Sequence, residues 1–179
     1  AEAIKEIEAH GVSVTEYRDT GNLAWTVVVD GTFNRRITPN TPVSFTGPVA
    51  GSALLRTVFA SNGLAGRGTL NNCANGHTPW ATNLTCEENW AGYFKRGAGD
   101  NANRSAREIT QLNRYGIPQG AGGSYGWSTV VASTAGDTRF RRWDTTVDTT
   151  KPADGSGDFR NEANHFGWVV ELDPYDKSV

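Results

Sequence analysis

The chain has 179 residues, a net charge of −2 and a pI near 5.9, a balance that argues against nucleic acid as a partner. No apolar run in the sequence approaches the roughly 18 residues that a membrane-spanning helix needs. Hydrophobic residues make up only 37%, but six Trp, seven Phe and five Tyr supply large buried areas, and 21 Gly predict many turns.

The first third of the chain predicts one short helix followed by short strands. Ala3, Ile4 and Ile7 share one face of a helix over residues 2–10, and Gly11 is a good stop signal. β-branched and aromatic residues predict extended segments, and a turn is expected at residues 61–63. The predicted extended segments are residues 12–14, 25–29, 35–38 and 54–59.

The rest of the chain adds two strands and one well-marked helix. A strand is predicted over residues 82–85, carrying Cys86 to its end, and another over residues 168–172. Ser105 and Glu108 form the Ser-x-x-Glu capping box of a helix that Gly116 ends. Residues 120–123 are a glycine-rich loop without the Lys-Ser/Thr of a phosphate-binding loop, and residues 154–158 are an exposed turn. Several short strands with glycine turns indicate an all-β repeat architecture with short helical insertions.

Both cysteines of the chain lie in the segment that carries the most chemistry, residues 71–90. Cys86 is followed directly by Glu87 and Glu88. A soft thiolate favours transition metals, and hard carboxylate oxygens favour Fe(III), Mn, Ca or Mg. Two interpretations remain open, a disulfide between Cys73 and Cys86 or a metal thiolate at Cys86, and the neighbouring carboxylates favour the metal. Asn71, Asn72, Cys73 and Asn75 are expected in a loop.

This segment also resembles a known family. Residues 71–80 and 84–89, NNCANGHTPW and LTCEEN, are similar to the signature of the PhoX family of bacterial alkaline phosphatases, and residues 9–14, 34–38, 47–51 and 166–174 agree with that family in order. The chain departs from it at Ala81, where the family usually has Gly, and at Asn83, where it usually has an aromatic residue. The resemblance implies a six-bladed β-propeller, of which residues 1–179 would form two to three blades and continue beyond both ends.

The resemblance further implies a cluster of two Fe3+ and several Ca2+ ions at the propeller axis. Cys86 would be an iron ligand, and Glu87 is preferred to Glu88 as a second ligand. Glu171 would be a further ligand, because a charge inside the apolar run of residues 168–172 is costly unless it is paired or metal-bound. The remaining candidates are polar side chains that could reach a calcium ion or a phosphate. They are Asn72 for calcium, and Thr78 and Arg35 for phosphate contacts.

The function expected from these residues is the metal-dependent hydrolysis of phosphate monoesters, in the periplasm or outside the cell. One alternative is a non-catalytic propeller module that binds a sugar or a protein on a Trp-rich surface, and another is a fragment that is inactive by itself. The sequence has no Met and no signal peptide, and blades bury their faces against neighbouring blades. We therefore expect the remainder of the propeller polypeptide as one partner. The phosphate ester is the other expected partner, as the substrate.

Overall fold

The computed structural model describes residues 1–177 of the chain. Within that range there are two α-helices, α1 (Glu2–Ala9) and α2 (Ala106–Tyr115), and short strands. The strands are β1 (Val12–Val14), β2 (Tyr17–Gly21), β3 (Ala24–Val27), β4 (Arg35–Ile37), β5 (Pro42–Ser44), β6 (Ala65–Arg67), β7 (Asn72–His77), β8 (Asn83–Glu87) and β9 (Val169–Leu172). Single turns of 3-10 helix lie at Gly47–Val49, Ala53–Leu55, Trp90–Tyr93, Asp100–Asn103, Trp127–Thr129, Arg141–Trp143 and Glu162–His165.

All strand pairs between these elements are antiparallel. β1 pairs with β4, β2 with β3 and β5 with β6, and β7, β8 and β9 form a three-stranded sheet with β8 in the middle. The predicted all-β class with short helical insertions is confirmed. Among residues 1–177 no sheet has the four strands of a complete propeller blade. No helix in this range is long and apolar enough to cross a membrane.

Both predicted helices are present, and local contacts explain where each one ends. In α2, the Ser105 hydroxyl accepts a hydrogen bond from the Glu108 amide, and the Glu108 carboxylate accepts one from the Ser105 amide, so the predicted capping box is confirmed. Gly116 ends α2 at a φ of 92°, a conformation that glycine adopts without strain. At the end of α1, the Arg36 guanidinium donates to the carbonyls of Glu8, Ala9 and His10, which the helix leaves without partners.

The core is aromatic and is built mainly from loops and 3-10 turns, to which α1 contributes Ile7 and α2 contributes Leu112. Trp143 has no exposed surface, and its ring lies 5.0 Å from Trp127, 5.2 Å from Phe94 and 5.6 Å from Phe166. Burial of such large rings is the main stabilising contribution available to a chain with few aliphatic residues. The other buried members of the cluster are Ile7, Leu70, Tyr93, Leu112, Ile117, Phe140 and Ala163.

Two predicted segments differ in the structure. Residues 54–59 do not form a strand, because distant side chains occupy the backbone carbonyls that a strand partner would use. The carbonyls of Leu54 and Leu55 are bonded by Asn164 Nδ2 at 2.8 Å and His165 Nε2 at 2.9 Å, and Ala53–Leu55 closes a 3-10 turn instead. The expected loop around Cys73 is strand β7, which pairs with β8 across a bulge between Asn72 and Asn75.

Candidate functional site

The three-stranded sheet has one buried face and one face open to solvent. On β8, the side chains of Thr85 and Glu87 point inward, whereas Cys86 is on the opposite side, as the period of two along a strand requires. Cys86 is paired with Val169 on β9, and Leu84 with Glu171. Cys86 and Glu171 are therefore diagonal neighbours on the open side, which we call the outer face. The structure thus brings together these two predicted metal ligands.

The Glu171 carboxylate is held in place by the turn that joins β7 to β8. Its Oε1 atom accepts hydrogen bonds from Trp80 Nε1 at 2.7 Å and from Thr82 Oγ1 at 2.5 Å. These two bonds, that from Thr82 first, lower the pKa of Glu171. No side chain or amide among residues 1–177 donates to Oε2, so one oxygen of an oriented, ionised carboxylate stays open on the outer face. Sequence analysis missed Trp80 and Thr82, which are marked only by their place in a Pro-containing turn.

Cys73, Cys86 and Glu88 lie together near the edge of the outer face. Both cysteines are free thiols; Cys73 is exposed and Cys86 is half-buried. The neighbouring Glu88 carboxylate raises the pKa of the Cys73 thiol by hydrogen bonding and by its charge, with a smaller contribution from Cys86. The Glu88 side chain is therefore close to the Cys73 thiol.

Glu87 occupies the inner face and does not fit the metal ligand that it was predicted to be. Its Oε1 accepts from Thr69 Oγ1 at 2.8 Å and the Leu70 amide at 3.0 Å. Its Oε2 accepts from the Gly167 amide at 2.7 Å and the Trp168 amide at 3.1 Å. Burial raises the pKa of Glu87, against the opposing effect of these hydrogen bonds. Both oxygens are thus saturated, and the carboxylate joins β8 to the segments before β7 and before β9.

The Gly167 amide reaches Glu87 only because residue 167 has no side chain. Gly167 has a φ of 87°, and a Cβ atom there would lie 2.5 Å from the indole nitrogen of Trp90. A glycine is therefore required on both conformational and steric grounds. This close approach lets β9 enter the sheet directly above the aromatic core.

The other predicted site residues have structural partners. Arg35 donates to the carbonyls of Phe33 and Pro174 at 3.2 and 3.1 Å and also to that of Asp173, so its guanidinium clamps β4 to the segment after β9 instead of facing a phosphate. The Thr78 hydroxyl is bonded to Thr82 Oγ1 at 2.7 Å and accepts from the Thr82 amide at 3.1 Å, which makes it a turn residue.

Asn72 differs from these, because one of its polar atoms has no partner. Its Nδ2 donates to Thr69 Oγ1 at 2.8 Å, while its Oδ1 is buried and accepts no hydrogen bond. A buried acceptor without a partner is costly, and a hard cation is one group that would satisfy it. The calcium contact of Asn72 stays a prediction. Across residues 1–177, however, no three His, Cys, Asp or Glu side chains lie close enough to hold a metal by themselves.

Short antiparallel sheets define a β-rich protein, and one open sheet face presents a thiol and an oriented carboxylate. The chain belongs to the family described as alkaline phosphatase PhoX, whose profile matches residues 1–179. Among solved structures it is similar to Pseudomonas fluorescens PhoX in complex with vanadate, a transition state analogue. The identity is 32% and the TM-score 0.72, over 99% of this chain and 26% of that chain. No curated protein matched the chain.

These comparisons confirm the predicted family and place the fold within a larger one. The chain spans about a quarter of the length of the Pseudomonas protein, and its small sheets correspond to a fragment of that propeller-like fold.

Proposed function

We propose that the polypeptide carrying these residues is a metal-dependent phosphatase that hydrolyses phosphate monoesters, and that it acts in the periplasm or outside the cell. The observation that carries the proposal is the 32% identity, over 99% of this chain, to a PhoX that holds a transition state analogue.

The proposed cofactors are two Fe3+ ions and several Ca2+ ions near the propeller axis. When bound, such ions neutralise phosphate oxygens and lower the pKa of an attacking water or hydroxyl. Cys86 and the open Oε2 of Glu171 are the donors that the outer face offers to iron, and Asn72 Oδ1 is the donor that fits calcium. Any ion held by these side chains takes its remaining ligands from other residues.

Residues on both faces of the sheet position the donors. Trp80 and Thr82 fix the Glu171 carboxylate through Oε1 and leave Oε2 directed outward. Glu87 fixes the end of β8, and with it Cys86, through its four hydrogen bonds. Such surrounding contacts commonly change metal affinity by about 10–100-fold when they are removed. Arg35 and Thr78 have no role in this proposal.

The test is Cys86→Ala in the complete polypeptide, with Cys73→Ala as the matched control. We expect Cys86→Ala to lose iron, measured by inductively coupled plasma mass spectrometry, together with hydrolysis of p-nitrophenyl phosphate. Cys73→Ala is expected to keep both. Full iron content in the Cys86→Ala protein would refute the assignment of Cys86. Absence of turnover in an iron-loaded wild-type protein would instead favour a non-catalytic binding module.

A further inference from the structure

The two thiols of the chain stand opposite each other on neighbouring strands. Asn72 on β7 is paired with Glu87 on β8, so the next position along β7, Cys73, faces Cys86 at the start of the bulge. Both side chains are on the outer face, and the Cys73 thiol is close enough to Cys86 for the two to interact electrostatically. The two cysteines are therefore brought together by the sheet itself, although twelve residues separate them in the sequence.

This arrangement favours a disulfide geometrically. Cys73 directly follows Asn72, and Cys86 directly precedes Glu87, so the two cysteines flank a pair whose Cα atoms are about 4.5–5.5 Å apart. Disulfides form over Cα distances of about 4.4–6.8 Å. The bulge adds local freedom to β7 at Cys73, because it removes that residue from the regular ladder. Cys73 is also exposed, so a dissolved reagent can reach it, while Cys86 is half-buried behind it.

We infer that Cys73 and Cys86 form a reversible disulfide when no metal is bound at Cys86, with a small-molecule disulfide or a thiol–disulfide exchange protein as the oxidant. The thiolate of one cysteine attacks the oxidant, forms a mixed disulfide and releases one thiolate. The thiolate of the other cysteine then attacks the first cysteine's sulfur and releases the second thiolate. The two cysteines are oxidised, one external disulfide is reduced to two thiols, and the two cysteine protons pass to the solvent or to those thiols.

The consequence for metal binding rests on the proposed function. A disulfide removes the thiolate that Cys86 would offer to iron, so the oxidised polypeptide holds back one ligand until it is reduced. Disulfides that reductants can reach are the labile ones, and the exposure of Cys73 gives a reductant access to this pair. Cys73 would thus protect the neighbouring thiol from irreversible oxidation before the metal is loaded.

The experiment uses the complete polypeptide, stripped of metal with a chelator, and oxidised glutathione as the reagent. Free thiols are then blocked with N-ethylmaleimide. The segment between Arg67 and Lys95 contains no Lys or Arg, so trypsin releases both cysteines in one peptide, residues 68–95. We expect this peptide to carry no label and to have lost two hydrogen atoms, and dithiothreitol to restore two labelled thiols. In Cys73→Ser, Cys86 can only be labelled or carry a glutathionyl group.

Iron uptake by the oxidised and reduced forms is measured in parallel, and we expect it to be weaker by roughly tenfold or more after oxidation. Separate labels or glutathionyl groups on both cysteines of the wild-type peptide would refute the disulfide. If that occurred while Cys86→Ala still lost iron, this inference would fail and the proposed function would stand. If the disulfide forms and iron uptake is unchanged, the disulfide does not hold back an iron ligand. That result would also refute the assignment of Cys86 as an iron ligand.

Discussion

The substitution Glu87→Gln separates a structural carboxylate from a metal ligand. Glutamine replaces one carboxylate oxygen by an NH2 group. Whichever of the two oxygens is replaced, two hydrogen bonds that this oxygen accepted become contacts between two donors. The affected pair is Thr69 Oγ1 with the Leu70 amide, or the Gly167 amide with the Trp168 amide. The Thr69 hydroxyl can rotate to accept, but the amides cannot, so the second pair is the costlier one.

The magnitude follows from the donor that is left unpaired. The glutamine side chain takes the less costly orientation, with its NH2 group toward Thr69 and Leu70, and this leaves only the Leu70 amide without a partner, at a cost of about 1–3 kcal/mol. Removing a charge that burial disfavours returns part of this, since the pKa of Glu87 is raised in the fold. We expect the free energy of unfolding to fall by about 1–2 kcal/mol, measured by urea denaturation with tryptophan fluorescence. The control Glu88→Gln, on an exposed side chain, is expected to stay within about 0.5 kcal/mol of wild type.

The pH dependence of stability has a defined sign. A carboxyl group whose pKa is higher in the folded state contributes stability below its unfolded pKa and loses that contribution as the pH rises through its folded pKa. As the pH rises through the raised pKa of Glu87, the unfolding free energy of the wild type should therefore fall. The Glu87→Gln protein should not show this fall. Unchanged stability in Glu87→Gln, with loss of iron, would refute the structural role and return Glu87 to the ligand set.

Two further substitutions act on the turn between β7 and β8. Ala81 has a φ of 68°, a left-handed conformation that is strained for alanine. Ala81→Gly is therefore expected to raise the unfolding free energy by about 0.5–1 kcal/mol in urea denaturation. The control Ala102→Gly, at an exposed position of ordinary φ, should lower the unfolding free energy. Glu171→Gln keeps the shape of the side chain and is expected to weaken iron binding by at least roughly tenfold, read by competition with a chelator, with an unchanged unfolding midpoint. A lower stability of Ala81→Gly, or unaltered iron affinity in Glu171→Gln, would contradict the respective reasoning.

Local sequence signals predicted the elements whose causes are local. The capping box at Ser105 and the stop at Gly116 determine α2 within a few residues, and the period of two separates Cys86 from Glu87. The usual family glycine at position 81 also corresponds to the left-handed conformation found there. Signals of this kind need no knowledge of the rest of the chain.

Long-range contacts explain what the sequence did not predict. Residues 54–59 are rich in strand-forming side chains, but their carbonyls are taken by residues 105 to 110 positions away. Arg35 has the chemistry of a phosphate ligand, yet three carbonyls at positions 173–176 surround it. Glu87 was assigned to a metal because of its neighbour, whereas its actual partners lie 17 to 81 residues away.

The order in which the sheet assembles has a consequence for loading the site. Thr82 and Glu171 are 89 residues apart in the chain, and the intervening segment contains most of the aromatic core. Closing so long a loop is entropically unfavourable until that segment has condensed and brought β9 next to β8. Cys86 and Glu171 thus become neighbours only in a chain whose interior is already formed. An ion bound by both donors would bind only the folded form. Its binding free energy would therefore add to the stability of the fold, including a core with which the ion has no contact.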